Sequence, residues 1–191
     1  MKTKILITIL YVLFLTKIQA QQKLLNHKSF EIGIAVAGSE TLFYGAFVKY
    51  NVPLTSKKHF FYMAPTLTTY FDFKGESTAQ AYLKNDVDMR ILPTINLGYS
   101  LNLGKFQLNL EMPLGTSIAI TKGTLVNERI GFQQNYSNTE VFFNYGFLFA
   151  PKFRLNQNNQ IGLSAFLPLI KDKAQSGYQF GLGWTKSFAN R

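Results

Sequence analysis

Hydrophobic and polar residues alternate one by one along much of the chain. In one segment, Phe106, Leu108, Leu110, Met112 and Leu114 alternate with Gln107, Asn109, Glu111 and Pro113. Successive side chains of a β-strand point to opposite faces, so this segment is predicted to be a strand with one apolar and one polar face. A similar alternation runs through 87–101. The residues 102–105 between the two segments favour a tight turn, because Asn and Gly adopt positive φ at little cost.

The same alternation predicts eight strands. Their ranges are 28–37, 42–53, 60–71, 87–101, 105–119, 140–155, 160–170 and 177–189. Short and long connections alternate along the chain. The short ones are 56–59, 102–105 and 156–160, and the long ones are 72–86 and 120–139. Every second connection of an antiparallel meander lies at the same end, so the short turns are predicted to share one rim. Bacterial outer-membrane barrels have this asymmetry between turns and loops.

Five of the six prolines fall in the interior of the predicted strands, and the sixth, Pro53, is the last residue of the strand 42–53. The five are Pro65, Pro93, Pro113, Pro151 and Pro168. Each removes one backbone donor from the sheet. We expect β-bulges at these positions, or strand segments that project beyond a membrane.

The composition of the two strand faces predicts which of them points outward. A soluble barrel is coated with charged residues such as Lys and Glu, whereas the polar face here consists mostly of Gly, Asn, Ser, Ala and Thr. The opposite face is a continuous apolar surface, far larger in area than the apolar patches that monomeric soluble proteins expose to water. We therefore expect apolar side chains to contact lipid and small ones to fill the interior. A secreted, lipocalin-like carrier barrel is the alternative.

A lipid-exposed sheet must also be closed. A free edge in hydrocarbon would leave backbone groups unpaired, at several kcal/mol each. The eighth strand is therefore predicted to pair with the first.

The beginning of the chain is predicted to be a targeting segment. Lys2 and Lys4 precede an apolar run at 5–15, and Ala20 follows it, as in a cleaved secretory signal peptide. The run is shorter than the roughly 20 residues of a membrane-spanning helix. We expect export through the Sec pathway, cleavage of residues 1–20, and a single domain at 21–191.

Composition excludes several other classes of protein. The 191 residues include no cysteine and are 47% hydrophobic and 16% charged, which excludes disulfide scaffolds, thiolate metal sites and intrinsic disorder. The net charge of +10 is spread along the chain and lies partly in the predicted signal. Nucleic acid is therefore not an expected partner.

Ionisable residues on the polar face are predicted to form a luminal charge network. They are Glu31, Lys49, Asp88, Arg90, Glu111, Lys152 and Arg154. An unpaired charge in a narrow interior is costly, so we expect ion pairs across the lumen. The simpler interpretation of these pairs is a structural plug, since eight strands enclose just enough space for side chains. The alternative is a polar path for a small solute.

No catalytic residue, cofactor or metal site is predicted. Both histidines, His27 and His59, map to the rim with the short turns. The acidic residues between Asp72 and Asp88 lack the ordered ligand spacing of a calcium loop. We therefore expect a protein that is not an enzyme.

The segment 120–139 offers a candidate partner loop. Its apolar and aromatic residues are Leu125, Val126, Ile130, Phe132 and Tyr136. Such side chains on a surface loop favour binding of a partner. Alternatively, they pack on the barrel rim, or the segment extends the fifth and sixth strands as a hairpin.

Taken together, these features resemble the small outer-membrane β-barrel domain proteins of the porin-like superfamily, which includes OmpA-type, OmpX-type and PorT-type barrels. The resemblance rests on the predicted signal, the eight alternating strands, the segment 108–114 and the aromatic Phe188 near the end of the last strand. Phe188 is similar to the C-terminal aromatic signal that the barrel-assembly machinery recognises, although three residues follow it.

The resemblance implies an all-β fold: an eight-stranded, antiparallel, up-and-down transmembrane barrel with short periplasmic turns and longer extracellular loops. It implies the outer membrane of a Gram-negative bacterium, with outer-membrane lipids and other proteins of that membrane as partners. A structural or interaction role is expected, such as that of an accessory subunit in a larger envelope complex. Transport of small or apolar solutes across the outer membrane is the alternative function.

Overall fold

The described part of the chain forms eight β-strands and one short 3-10 helix. A computed structural model describes residues 28–38, 42–55, 58–72, 81–169 and 178–188, with the backbone alone for 81–86. The strands are β1 (Ser29–Gly38), β2 (Leu42–Pro53), β3 (His59–Asp72), β4 (Ala81–Leu103), β5 (Phe106–Asn127), β6 (Phe132–Arg154), β7 (Asn159–Pro168) and β8 (Tyr178–Ser187), and the 3-10 helix is Glu128–Ile130. Within these ranges no helix has the length and apolar character needed to cross a bilayer.

The strands close into a barrel. Each strand pairs with its neighbours in chain order, and every pairing is antiparallel. The first strand also pairs with the last, from Ser29 opposite Ser187 to Gly38 opposite Tyr178. The prediction of a closed, eight-stranded, up-and-down antiparallel barrel is therefore confirmed.

The two ends of the barrel differ. One end, here called the short-turn rim, carries Ser29 of β1, Ser187 of β8 and the connections at 54–58, 104–105 and 155–158. Gly104 in the middle turn has φ of 78°, a conformation that glycine adopts without a steric penalty. The opposite end, here called the hairpin rim, carries Gly38 of β1, Tyr178 of β8 and the 3-10 turn between β5 and β6.

Three strands are much longer than the sequence pattern predicts. β4, β5 and β6 have 23, 22 and 23 residues. Pairing between β5 and β6 continues past the predicted strand ends, from Ile120 opposite Thr139 to Asn127 opposite Phe132. The prediction of an irregular loop at 120–139 is therefore wrong. The segment extends β5 and β6 as a hairpin, which was one of the alternatives for it.

A capped 3-10 turn closes this hairpin. Asn127 accepts a hydrogen bond from the backbone N–H of Arg129 at 3.2 Å, and Gly131 has φ of 65°. We call the three-stranded part beyond the barrel, formed by 81–87, 121–127 and 132–140, the projecting sheet.

Apolar side chains lie on the outside of the barrel. Phe143 and Phe147 of β6 are 57% and 45% exposed, whereas Asn144 between them is 3% exposed. On β5, Leu110 is 54% exposed and Glu111 is 1% exposed. This distribution is the reverse of that in a soluble carrier barrel, whose apolar side chains line the centre.

The apolar surface has the height of a membrane core. Phe61 and Phe71 both point outward from β3 and lie ten residues apart. At about 3.3 Å per residue and a strand tilt of about 40°, they are separated by roughly 25 Å along the barrel axis, the height of the apolar band on outer-membrane barrels. Aromatic residues thus lie towards both edges of the band, as in interfacial girdles.

Prolines interrupt the hydrogen-bonded ladders without changing their register. Pro65, Pro93, Pro113 and Pro151 each coincide with a gap of two residue pairs in one adjacent ladder, and the register is the same on both sides of the gap. The expected bulges are therefore wrong for these prolines, because the missing N–H removes pairing locally but inserts no extra residue. Pro168 is the last residue of β7. A register shift occurs instead between Lys84 and Val87, in the projecting sheet.

Candidate functional site

Four buried charges form an ionic cluster across the lumen. Lys152 Nζ contacts Glu31 Oε2 at 2.5 Å, Glu31 Oε2 lies 3.9 Å from Lys49 Nζ, and Lys49 Nζ in turn contacts Glu111 Oε1. The four side chains come from β6, β1, β2 and β5, and each is at most 5% exposed. Positive and negative groups alternate, so the cluster is neutral as a whole. It ties together strands on different sides of the barrel.

Neutral polar side chains complete the cluster. Tyr62 Oη donates to Glu111 Oε1 at 2.6 Å, and Asn96 Nδ2 donates to Glu111 Oε2 at 2.7 Å. Lys152 Nζ also donates to Thr185 Oγ1 at 3.1 Å. Both oxygens of Glu111 therefore have donors, which is the condition under which a buried charge is tolerated.

Two glycines provide the space that these side chains occupy. Gly98 lies opposite Tyr62 in the β3–β4 ladder, and a Cβ atom at Gly98 would lie 2.3 Å from the Tyr62 ring. A Cβ atom at Gly183 would lie 2.7 Å from Glu31 Oε1. The small residues of the polar face thus make room for a few large polar ones.

Aromatic and aliphatic side chains form a second layer nearer the hairpin rim. Phe43, Tyr70 and Leu92 are buried there, with Phe47 packed against them. Tyr70 Oη donates to Gln179 Oε1 across the lumen at 2.7 Å. A cavity of about 50 Å³, lined by Glu31, Lys49, Phe47 and Tyr70 among others, remains between this layer and the ionic cluster. Side chains therefore occupy the interior at two successive levels.

The other predicted luminal charges lie apart from the cluster. The Arg90 guanidinium lies over the Phe43 ring, 4.2 Å from its centroid, a cation–π contact. Asp88 accepts a hydrogen bond from Thr121 Oγ1 at 3.4 Å and lies opposite Asp72 in the β3–β4 ladder. These groups are in the hairpin-rim half of the barrel. Arg154, the last residue of β6, is at the short-turn rim.

The polar partners in the cluster were not among the predicted site residues. Tyr62, Asn96 and Thr185 all have the strand parity of inward-facing positions. Parity was the signal that could have identified them, but the prediction considered charged residues alone.

The predicted partner residues are distributed over the projecting sheet. Ile130 at its tip is 72% exposed, Phe132 is 41% exposed and Tyr136 is 38% exposed, whereas Val126 is buried and Leu125 is half-buried. The polarity of β6 is reversed here. Phe132 and Tyr136 continue the face that points into the lumen lower down, while the alternate, outer positions are Gln133, Asn135, Ser137 and Thr139.

Several solved structures are similar to this chain. The chain is similar to Ail, the attachment invasion locus protein and an outer membrane protein of Yersinia pestis, with 16% identity, a TM-score of 0.55, and coverage of 86% of this chain and 99% of that chain. The structure of Ail with the heparin analogue sucrose octasulfate gives a TM-score of 0.57 at the same identity and coverage. The match to Neisserial surface protein A has 13% identity and a TM-score of 0.44, and it covers 85% of this chain and 96% of that chain.

Comparisons by sequence give no relative. No family model matches the chain, and no curated protein matches it. The closed barrel and the structural similarity together define the fold as that of the small outer-membrane β-barrels.

Proposed function

We propose that this protein is an integral outer-membrane β-barrel that acts through its projecting sheet as a structural or interaction component of the cell envelope. The observation that carries the proposal is the continuation of β5 and β6 beyond the closed barrel, with exposed Ile130, Phe132 and Tyr136. Binding residues commonly lie on loops or hairpins that a rigid scaffold holds in place, and the barrel provides such a scaffold for this hairpin.

The outward apolar band supports insertion in a bilayer. Band height and girdle residues match the dimensions of an outer-membrane barrel. By the same comparison, the short-turn rim faces the periplasm and the projecting sheet faces outward. Residues 1–20, which lie outside the described ranges, would act as the Sec signal of a Gram-negative bacterium.

The edge of β6 supports an interaction role. β7 pairs with β6 from Gly146 opposite Pro168 onward. Within the described ranges, residues 132–142 of β6 have β5 as their ladder partner on one side and no ladder partner on the other. An unpaired edge of this length can accept an extended segment of a partner protein. We therefore place the contact with a protein partner at this edge and at the adjacent aromatic side chains.

The interaction role is tested by affinity purification from detergent-solubilised membranes. The protein is compared with a triple variant, Ile130→Asp, Phe132→Asp and Tyr136→Asp. We expect the parent protein to retain a stoichiometric partner and the variant to retain at least tenfold less of it, because charges replace the apolar contacts. The matched control is Lys122→Gln with Glu140→Gln, which changes exposed charges in the same sheet.

Two results would contradict the interaction role. One is recovery of the same partner at equal yield by the triple variant. The other is absence of any stoichiometric partner on the parent protein.

The transport alternative is tested by planar-bilayer recording of the unmodified protein. We expect no steady single-channel current, because the ionic cluster and the aromatic layer occupy the lumen at successive levels. A large porin reconstituted in the same lipid serves as the positive control. Steady unitary currents from this protein would favour transport and contradict the plug.

A further inference from the structure

A small polar pocket lies between the ionic cluster and the short-turn rim. Its volume is about 30 Å³, which holds two or three water-sized groups at roughly 10–15 Å³ each. The side chains that line it and carry the argument are Asn51, Gln107, Asn109, Lys152, Arg154 and Gln160. The pocket is at the opposite end of the barrel from the projecting sheet. A ligand in the pocket would therefore not contact the surface proposed for the protein partner.

The pocket carries an unbalanced positive charge. Neither Asp nor Glu is among its lining residues. The charge of Lys152 is neutralised by Glu31, at 2.5 Å. Arg154 has no carboxylate within ion-pair distance in the part of the chain that the structure describes, although its guanidinium is half-buried. A partly desolvated guanidinium without a counter-ion favours binding of an anion.

Amide groups on the pocket wall supply further donors. Gln160 Nε2 donates to Gln107 Oε1 at 3.0 Å, and Gln107 Nε2 donates to Asn109 Oδ1 at 3.0 Å. A primary amide has two N–H donors, and each of these two glutamines uses one of them in the chain of amides. The second N–H of each has no hydrogen-bond acceptor among the described residues.

We propose that this pocket binds the carboxylate group of a small molecule or of a peptide C-terminus, held by the guanidinium of Arg154 and the side-chain amide of Gln160. One unpaired positive charge matches the single negative charge of a carboxylate. The planar guanidinium matches its two oxygens in a bidentate pair. A group of three heavy atoms also fits the small volume better than a tetrahedral phosphate, with its five heavy atoms.

The proposal is tested by NMR titration of the protein in detergent micelles. The probes are acetate, N-acetyl-alanyl-alanine with a free C-terminus, and the same peptide with a C-terminal amide. We expect either carboxylate probe to cause saturable shifts of the Arg154 Nε–H and Gln160 side-chain amide signals. The amidated peptide, which lacks the charge, is expected to cause none.

Variants assign the binding to one residue. Arg154→Gln is expected to raise the dissociation constant of the peptide at least tenfold. Lys105→Gln, which removes an exposed cation at the same rim, is expected to change it less than twofold. Dispersed backbone amide signals check that each variant retains the barrel.

Three results would overturn the proposal. They are equal shifts with the amidated peptide, unchanged affinity in Arg154→Gln, and saturation by inorganic phosphate at a tenfold lower concentration than by the peptide. The comparison of the two peptides on the parent protein needs no variant, so it decides the proposal even if Arg154→Gln does not fold.

Discussion

Replacing Glu111 by alanine is expected to lower the free energy of unfolding by about 3–5 kcal/mol, the cost of breaking a buried ion pair from one side. The substitution leaves the buried Lys49 ammonium with the Glu31 carboxylate, 3.9 Å away, as its remaining negative partner. It also removes the acceptor of Tyr62 and of Asn96, and buried donors without acceptors add to the cost.

The measurement is a urea titration in phospholipid vesicles, followed by the fluorescence of Trp184, the single tryptophan of the chain. The control is Glu140→Ala, which removes an exposed carboxylate that accepts a hydrogen bond from Asn138 at 2.9 Å. We expect this change to stay within about 0.5 kcal/mol of the parent protein. Equal losses in the two variants would show that the luminal cluster has no special role in stability.

Replacing Phe147 by arginine is expected to lower the free energy of unfolding in vesicles by about 2–4 kcal/mol, the cost of a cation on the lipid face of a barrel near mid-membrane. Phe147 is 45% exposed and lies midway between Val141 and Phe153 on the outer face of β6. A guanidinium at this depth has no water and no described carboxylate near it, so the penalty is large.

Two control variants isolate the cost of placing a cation in lipid. One measures the loss of the aromatic ring, and the other measures the effect of the charge outside the membrane. Phe147→Leu keeps an apolar side chain and is expected to cost less than about 1.5 kcal/mol, the usual upper limit for a swap between large apolar side chains. Phe132→Arg puts the same charge on the projecting sheet and is expected to change stability by less than about 0.5 kcal/mol. A Phe147→Arg protein as stable as the parent would contradict lipid contact at this position.

The part of the fold that lies in the apolar band was predictable from the sequence. In the band, lipid lies outside the barrel and the lumen lies inside it, so successive residues of a strand must alternate between apolar and polar. Leu110 and Glu111 could therefore be assigned to opposite faces. The constraint ends where the strands leave the band. In 132–140 both faces are largely polar, so no alternation marks the strand, and the capping residues Asn127 and Gly131 were the local signals of a hairpin.

The luminal pairs were less accessible to sequence reasoning. Strand parity identifies which charges point inward, but pairing depends on the stagger of all eight strands. Lys152 and Glu31 are 121 residues apart in the chain and meet because the barrel closes. The contact of Arg90 was not predictable from the distribution of charges. Its guanidinium lies over the Phe43 ring, and a pattern of charged residues does not predict contact with an aromatic face.

Lipid contact of the apolar face, and its absence on the polar face, can be measured directly on β6. The chain has no cysteine, so single cysteines can be introduced on β6 and spin-labelled without background. Collision rates with oxygen, which concentrates in the bilayer, and with a water-soluble nickel complex are then measured in vesicles. We expect high oxygen and low nickel accessibility at Phe143 and Phe147 and low oxygen accessibility at Asn144 and Leu148. High nickel accessibility at Phe143 and Phe147 would contradict lipid contact of the apolar face.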